Sequence, residues 1–239
     1  MNETRKSVSE FKQMAVNACR MISMDPERMG ERLCIECSDE LTDEVIKRLN
    51  KLGYTPDSLK EAIKAHEWKY PSESPALYCG TYGKYNAGNI TGMWVNLSTF
   101  GGNYEDFEAF CLAIHADEEA PELMYQDHTN IPDSLYQESM GENGFNKIME
   151  YCELCEEYNV FAVNDFLERW SPEDLDRMPD AYVGVYYSRE EFAEEKADEV
   201  FDLPNMGEIA QYFDYKAYAR ALFTGNYHYG SHGTVFARF

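Results

Sequence analysis

The segment PALYCGTYGKYNAGNITGMWVNL spans Pro75 to Leu97 and holds two apolar runs around a stretch rich in glycine and asparagine. Aromatic and β-branched side chains in residues 76–82 and 90–97 predict two strands. Glycine and asparagine in residues 83–89 predict the connection between them. Two short strands set among helical patterns indicate an α+β fold.

Downstream of this segment, helical and strand patterns alternate. Apolar residues at helical spacing predict an amphipathic helix over 104–115 and helical structure over about 132–170. The remaining predicted elements are a strand over 181–187, a helix from Arg189, a helix over 214–222 and a strand over 233–239.

The residues upstream of the strands have a helical pattern and end in a predicted linker. Apolar residues recur at helical spacing from Phe11 to Ile22 and again from Leu41 to Leu49, and a break at residues 53–57 starts a third helix. Two prolines and two serines in residues 69–75 predict a domain boundary. We therefore expect an N-terminal helical extension (1–72), a first lobe of strands and an acidic helix (76–135), a helical second lobe (136–178) and a third lobe of strands and an acidic helix (179–239).

Two interpretations of the extension remain open. It is either a small helical bundle or docking appendage, or a helix-turn-helix DNA reader. The near balance of 14 acidic and 12 basic side chains in residues 1–75 favours the first interpretation. In the second, the phosphate contacts would be Lys47, Arg48, Lys51, Lys60 and Lys64.

Charge is distributed unevenly along the chain, whose formal net charge is -23. Residues 76–239 carry 30 acidic and 9 basic side chains, and residues 86–146 contain no Lys or Arg. A surface so far from neutrality repels itself, so we expect a partner of opposite sign, such as a basic protein built to bind nucleic acid. A content of 44% apolar and 14% aromatic residues excludes a disordered acidic tail.

The predicted helix from Arg189 to Phe201 shows how acids could imitate DNA. Ala193, Ala197, Val200 and Phe201 form its predicted core stripe, and acids crowd the other positions in like-charge pairs four residues apart. Four residues of helix advance about 6 Å, close to two phosphate steps of about 3.4 Å along one DNA strand. The candidate DNA-mimic surface comprises Glu105, Asp106, Glu108, Asp117, Glu118, Glu119, Glu153, Glu156, Glu157, Glu190, Glu191, Glu194, Glu195, Asp198 and Glu199.

Metal or acid–base chemistry is the competing hypothesis from another functional class. The pairs Cys34/Cys37 and Cys152/Cys155 could supply four thiolates to one zinc ion, but cysteines three residues apart also fill helix cores. His115 with Asp117, or His228 with His232, could bind a metal or act as acid and base, although no third ligand has a recognisable spacing. No phosphate-binding or catalytic-triad motif is present. We therefore predict no catalytic residue, no metal site and no cofactor.

The sequence also indicates where the protein is located and whether its cysteines are reduced. No apolar signal core or membrane-length apolar run occurs in the sequence. Seven cysteines, an odd number, fit reduced thiols better than a secreted disulfide framework. We expect a soluble, cytoplasmic protein that does not contact a membrane.

The segment around Tyr85-Asn86-Ala87-Gly88 and Trp94 resembles the opening of the ArdA-type antirestriction proteins, which have a strand, a Tyr-Asn-Ala-Gly turn and a Gly-x-Trp strand. The resemblance continues through residues 115–131, through Ala181-Tyr-Val-Gly-Val-Tyr and its acidic helix, and through residues 212–222. That last segment is similar to the family's Tyr-Ile-Asp-Tyr-x-x-x-Ala-Arg-Asp-Leu. Residues 75–239 are covered, and the helical extension and Ala221 depart from the family pattern.

This resemblance implies a non-catalytic, elongated, three-lobed dimer that mimics bent B-form DNA. Such a protein is encoded on mobile genetic elements, binds no nucleic acid itself and occupies the DNA groove in the methyltransferase core of type I restriction-modification enzymes. Two copies of residues 76–239 would carry about as much charge as roughly 20 base pairs of DNA. The alternative is an acidic binding module for another basic DNA-binding protein. The candidate assembly segment contains Tyr212, Asp214, Tyr215 and Arg220.

Overall fold

The computed structural model describes residues 42–66 and 74–239. The predicted first helix and the Cys34/Cys37 pair lie outside the described residues. The chain divides into two compact units, the first ending at Asn146 and the second beginning at Lys147. The described residues form nine α-helices and two three-stranded sheets, which confirms the predicted α+β fold class. The division into an extension and three lobes stays a prediction.

Two short helices precede the first sheet, α1 (Asp43–Lys51) and α2 (Pro56–Ala65). Gly53 lies between them with a φ of 84°, a conformation that glycine adopts without strain. Thr55 and Ser58 then form a capping box, in which each side chain accepts a hydrogen bond from the other residue's backbone N–H. The predicted break at residues 53–57 and the helix after it are confirmed.

The first sheet has the order β2-β1-β3, and both of its strand pairs are antiparallel. The central strand β1 is buried along its whole length, as the apolar run at 76–82 predicts. The strand predicted over 90–97 is confirmed but shorter. The elements of this region are β1 (Ala76–Thr81), α3 (Tyr82–Asn86), β2 (Met93–Asn96), a 3-10 turn (Leu97–Phe100), α4 (Tyr104–Ala113) and β3 (Leu123–Thr129).

Two features of the first sheet differ from the prediction. The connection at 83–89 contains α3, because the Thr81 side chain accepts the backbone N–H of Lys84 and caps a helical turn. The strand β3 was not predicted, because its sequence Leu-Met-Tyr-Gln-Asp-His-Thr turns polar after Tyr125. It pairs with only one neighbour, so its polar half tolerates exposure.

Gly92 allows β1 and β2 to approach closely. A Cβ atom at this position would lie 2.3 Å from the carbonyl oxygen of Cys79 and 2.9 Å from the ring of Tyr78. We expect Gly92→Ala to lower the free energy of unfolding by about 2 kcal/mol, because backbone atoms must move. Gly141→Ala is the matched control, since its Cβ would meet nothing within 4 Å. Urea unfolding measures both, and equal stability of the two variants would contradict this explanation.

Aromatic rings form the core of the first unit and fix the helical pair to it. The ring of Phe107 stacks on Tyr125 and Phe145, with centroids 5.8 and 4.9 Å apart. His66, at the end of α2, is 6% exposed, and its ring lies 4.3 Å from that of Phe110 on α4. The α1–α2 pair therefore packs directly against α4.

His66 makes the stability of the first unit depend on pH. Burial lowers the pKa of His66 from 6.5 to about 4, so the folded state favours the neutral ring. His66 does not affect stability above pH 6.5, where the folded and the unfolded chain both carry the neutral ring, and it lowers the stability of the fold as the pH falls from about 6.5 to 4, because the unfolded chain then binds a proton that the folded chain does not. We expect a loss of about 2 to 3 kcal/mol between pH 7.5 and 4, less than the full linkage value because that value is reached only below pH 4.

The variant His66→Phe isolates this contribution. It keeps an aromatic ring against Phe110 but has no titrating group. Urea unfolding of both proteins at several pH values between about 7.5 and 4 should show wild type losing more stability than the variant. Parallel pH profiles would show that His66 does not contribute.

The second sheet has the order β4-β6-β5, and its strand pairs are antiparallel. The predicted strands at 181–187 and 233–239 and the predicted helices from Arg189 and at 214–222 are confirmed, with small shifts at their ends. The elements from Glu142 onward are α5 (Glu142–Tyr158), α6 (Val160–Leu167), a 3-10 turn (Pro172–Arg177), α7 (Met178–Ala181), β4 (Tyr182–Val185), α8 (Arg189–Phe201), two 3-10 turns (Leu203–Asn205 and Gly207–Tyr212), α9 (Tyr215–Gly225), β5 (Tyr227–Tyr229) and β6 (Thr234–Ala237).

Two predictions for this region need correction, and one strand has no counterpart among the predicted elements. Residues 132–141 are irregular and not helical, and Leu135 there donates its N–H back to the Pro132 carbonyl in a tight turn. The strand β5 was not predicted. On α8, Val200 is 63% exposed and Phe201 is 38% exposed with its ring against Phe213 and Tyr218, whereas Phe192, Ala193 and Ala197 are buried. The core stripe is thus shifted, because Phe192 packs against Phe223 and Val235.

No helix within residues 42–66 and 74–239 combines the length and the apolar character that crossing a bilayer requires.

Candidate acidic interface

The first group of predicted interface acids lies on α4. Asn103 caps this helix, and its Oδ1 atom accepts the backbone N–H of Asp106 at 3.2 Å. Glu105 and Asp106 occupy the first turn, where the helix dipole stabilises negative charge, and both are exposed. Glu108 is half-buried and accepts a hydrogen bond from the hydroxyl of Tyr104 at 2.8 Å. Two of the three carboxylates therefore face solvent.

The second group follows α4 in the turn formed by Asp117, Glu118 and Glu119. The Nζ atom of Lys84 lies 2.9 Å from Asp117 and 3.6 Å from Glu118, so one ammonium group is shared by two carboxylates. Glu118 also accepts the hydroxyl of Thr81 at 2.6 Å. This internal pairing reduces the charge that the turn presents to a partner.

The third group lies on α5. Glu153, Glu156 and Glu157 are exposed, whereas Tyr151 and Leu154 are buried on the opposite side of the helix. This separation is what the amphipathic pattern of residues 132–170 predicts for the part that is helical. Three carboxylates within five residues therefore face solvent together.

The fourth group, on α8, is the most crowded. Ser188 caps the helix, and Glu191 accepts the backbone N–H of Tyr187 at 2.6 Å. Lys196 forms an ion pair with Glu199 at 2.6 Å, which raises the pKa of Lys196. The other predicted acids on this helix are Glu190, which is half-buried, and Glu194, Glu195 and Asp198, which are exposed.

Taken together, the structure leaves the predicted acids accessible. Twelve of the fifteen are exposed, and the other three, Glu108, Glu118 and Glu190, are half-buried. The acids occur in both units. Each unit therefore carries exposed carboxylates on helices whose opposite sides are buried.

The cysteine pair on α5 has the properties of core thiols. Cys152 and Cys155 are half-buried, and burial raises the pKa of Cys152 to about 12. A thiol with that pKa is protonated at neutral pH and is a weak metal ligand. The zinc hypothesis also requires Cys34 and Cys37, which lie outside the described residues.

The predicted pair of His115 and Asp117 is joined by Lys84. The His115 ring is buried, with Nδ1 2.9 Å from the Lys84 Nζ atom and Nε2 3.3 Å from the carbonyl oxygen of Cys79. Both ring nitrogens thus have internal partners, and Asp117 contacts the same ammonium group. These contacts fix α3 to the end of α4, which is a structural role.

A buried carboxylate that belongs to none of the predicted sites lies in the second unit. Asp165, on α6, is fully buried, and its oxygens accept the backbone N–H groups of His232 at 3.0 Å and Thr234 at 3.2 Å. The His232 ring lies 2.7 Å from the same carboxylate. Glu168, one turn later, accepts the N–H of Ser231. Asp165 and Glu168 thus hold the turn between β5 and β6.

The same three side chains have the composition of a metal site. The ligand atoms of Asp165, Glu168 and His232 lie within 4.8 Å of one another. However, the Asp165 oxygens already accept N–H donors, and a Cβ atom on Gly230 would lie 2.3 Å from the Asp165 Cγ atom. Because donors and backbone surround this carboxylate, we interpret the cluster as a lock on the turn.

The predicted assembly segment is exposed and carries aromatic side chains. Tyr212 is 81% exposed, Tyr215 is half-buried, and Arg220 is exposed. Asp214 caps α9 by accepting the backbone N–H of Ala217. The ring of Phe201 packs against that of Phe213, which lies within the segment, and Val200 and Met206 are exposed apolar side chains of the same unit.

Comparison with known proteins places most of the chain in one family. Residues 77–236 match the family model described as antirestriction protein (ArdA), about two thirds of the chain. The match includes the acidic helices α4, α5 and α8 and all but one residue at each end of the two sheets, and it leaves α1 and α2 outside. No curated protein matches the chain.

Proposed function

Because the chain belongs to the antirestriction protein (ArdA) family, we propose that it inhibits type I restriction-modification enzymes by occupying their DNA-binding groove. The observation that carries this proposal is that none of the fifteen predicted interface acids is buried. Exposed carboxylates on stable helices hold negative charge in fixed positions, as phosphates do along DNA. The inhibitor therefore competes with DNA for the basic channel of the methyltransferase core.

Long-range attraction brings the partners together. A strongly negative surface raises the rate of encounter with a positive channel, and salt screens that attraction. Affinity is spread over many carboxylates, so no single acid is indispensable. The acids that are paired internally, Asp117, Glu118 and Glu199, contribute less than those without a nearby cation.

A type I nuclease assay tests this function. Purified protein is titrated into the enzyme with unmodified DNA, and cleavage is followed at low and moderate salt. We expect inhibition that excess DNA relieves and that weakens with salt. Normal cleavage at low salt would reject the proposal. Recovery of other basic DNA-binding proteins in a pull-down would then favour the alternative of a general acidic module.

We further propose that the protein acts as a homodimer through the assembly segment. Tyr212, Val200 and Met206 are exposed apolar side chains in the second unit, and such groups mark interaction surfaces. A second copy would extend the row of carboxylates and lengthen the DNA that is mimicked.

A charge placed in this segment should weaken the dimer. We expect Tyr212→Glu to raise the dimer dissociation constant by about tenfold or more, because a carboxylate would have to be desolvated at the interface. Tyr187→Glu is the control, since Tyr187 is 97% exposed and lies outside the segment. Sedimentation velocity measures the dissociation constants. A dimer that both variants weaken equally, or that neither weakens, would contradict this assignment.

A further inference from the structure

Lys84, on α3, is the only Lys or Arg between residues 74 and 146 of the sequence. Its side chain is 12% exposed, whereas the side chains of its ion-pair partners Asp117 and Glu118 are 44% and 23% exposed. The ammonium group is therefore more shielded from solvent than the carboxylates with which it pairs. A partner that approaches this turn meets the carboxylates first.

Contacts with the core fix the position of the Lys84 ammonium group. Its Nζ atom lies 2.9 Å from Nδ1 of the buried His115 ring. Because an ammonium group only donates, Nδ1 accepts and the ring hydrogen is on Nε2, which lies 3.3 Å from the carbonyl oxygen of Cys79. Lys84 is thus connected through His115 to the buried central strand β1.

The Glu118 carboxylate is held from two further directions. Its Oε1 atom accepts the hydroxyl of Thr81 at 2.6 Å. Its Oε2 atom lies against Gly83, where a Cβ atom would be only 2.6 Å away. Asp117 contacts the Lys84 ammonium group at 2.9 Å. Lys84 therefore joins two carboxylates whose charges would otherwise repel each other.

We propose that Lys84 is a positioning residue of the acidic interface, which holds the Asp117 and Glu118 carboxylates in the positions that a rigid basic channel recognises. This inference rests on the proposed function and concerns the same surface. Without the ammonium group, the two carboxylates would repel each other, and their side chains would have to be ordered again on binding. The positive charge of Lys84 offsets part of the negative charge of the turn, but one such charge alters binding only slightly. The loss of position on removal of Lys84 therefore outweighs the gain in negative charge.

The inference predicts different responses from two kinds of partner. Lys84→Met removes one positive charge, so a flexible polycation, which adapts to any arrangement of acids, should bind the variant as tightly as wild type or more tightly. A rigid channel cannot follow displaced carboxylates and should bind the variant less tightly.

Two further variants separate position from charge. Lys147→Met is the matched control, because Lys147 is also a half-buried, ion-paired lysine, 2.8 Å from Glu150, which is not one of the predicted interface acids. Gly83→Ala keeps the net charge and places a methyl group where the Glu118 carboxylate lies. Gly83 is exposed and lies on a helix, where alanine is favoured over glycine, so this variant keeps the fold.

Affinities for a type I methyltransferase core and for a fluorescent octa-arginine peptide are measured at about 0.1 M salt, after urea unfolding confirms that each variant is folded. We expect the core to bind Lys84→Met about three- to tenfold less tightly than wild type, and Gly83→Ala about two- to threefold less tightly. Lys147→Met should bind the core with unchanged or slightly higher affinity. The peptide should not discriminate between the two lysine variants.

A further comparison separates positioning from a general structural role. In a chain that carries Asp117→Asn and Glu118→Gln, Lys84→Met should change the affinity for the core by less than about twofold, because no carboxylate is left to position. A loss as large as in the wild-type background would overturn the inference, and so would a Lys84→Met protein that binds the core as tightly as wild type. If Lys84→Met does not fold, an unchanged affinity of Gly83→Ala overturns it. Failure of wild type to bind the core would reject the proposed function, and the inference with it.

Discussion

Inhibition of a type I enzyme is expected to fall about 100-fold at low salt when six exposed carboxylates are converted to amides. The six are chosen from four helices or turns across both units. None of them is paired with Lys or Arg in the part of the chain that the structure describes. The substitutions are Glu105→Gln, Glu119→Gln, Glu153→Gln, Glu156→Gln, Glu194→Gln and Asp198→Asn.

The size of this effect follows from the number of charges. Binding that depends on many phosphate-like contacts loses affinity steeply as the contacts are removed, and each contact alone contributes little. The pair Glu194→Gln with Asp198→Asn should therefore weaken inhibition only about threefold. A single Glu to Gln change that eliminated inhibition while the fold stayed intact would argue against distributed mimicry.

A control with the same change in net charge separates position from total charge. Six exposed acids outside the predicted interface are neutralised, and the loss of inhibition should be at least about tenfold smaller than in the first variant. Urea unfolding first shows that the two proteins are equally stable, and both are then compared in the nuclease assay. Equal losses would show that only net charge matters. The control substitutions are Asp43→Asn, Glu44→Gln, Asp57→Asn, Glu122→Gln, Glu138→Gln and Glu208→Gln.

The second large effect concerns stability. We expect Asp165→Ala to lower the free energy of unfolding of the second unit by about 4 kcal/mol. Asp165 is fully buried and accepts the N–H groups of His232 and Thr234, so its removal leaves buried donors unpaired and opens a cavity. The turn between β5 and β6 would lose its anchor on α6.

Glu168→Gln is the matched control, because Glu168 is exposed and the amide oxygen can still accept the N–H of Ser231. We expect it to cost less than about 0.5 kcal/mol. Urea unfolding measures both variants. A loss below about 1 kcal/mol for Asp165→Ala would contradict the role of Asp165 as the lock on the turn.

Local signals in the sequence predicted the elements with strong periodicity. The helix predicted from Arg189 begins at that residue, directly after its cap Ser188. Helix α3 was not predicted because it depends on the side-chain cap from Thr81. Strand β5 was not predicted because it has only three residues and depends on pairing with β6. The exposed Val200 has a similar cause. Which side of α8 is buried depends on packing against Phe223 and Val235, which are distant in sequence.

The acidic interface was predictable in part. Acids placed opposite an apolar stripe must face solvent, which is why Glu153 and Glu194 are exposed. The sharing of Lys84 between Asp117 and Glu118 could not be predicted, because these residues meet only through the packing of α3 near the end of α4. For Asp165, the single acid within the apolar run Val160–Leu167 was the available signal.

Binding to a type I methyltransferase core in competition with duplex DNA tests the central claim most directly. The duplex carries the recognition sequence of the enzyme, and salt is varied between about 0.05 and 0.5 M. DNA mimicry predicts that protein and DNA exclude one another and that the affinity of the protein falls steeply as salt rises. A ternary complex of enzyme, DNA and protein, or no binding at the lowest salt, would contradict the claim that this acidic surface replaces DNA.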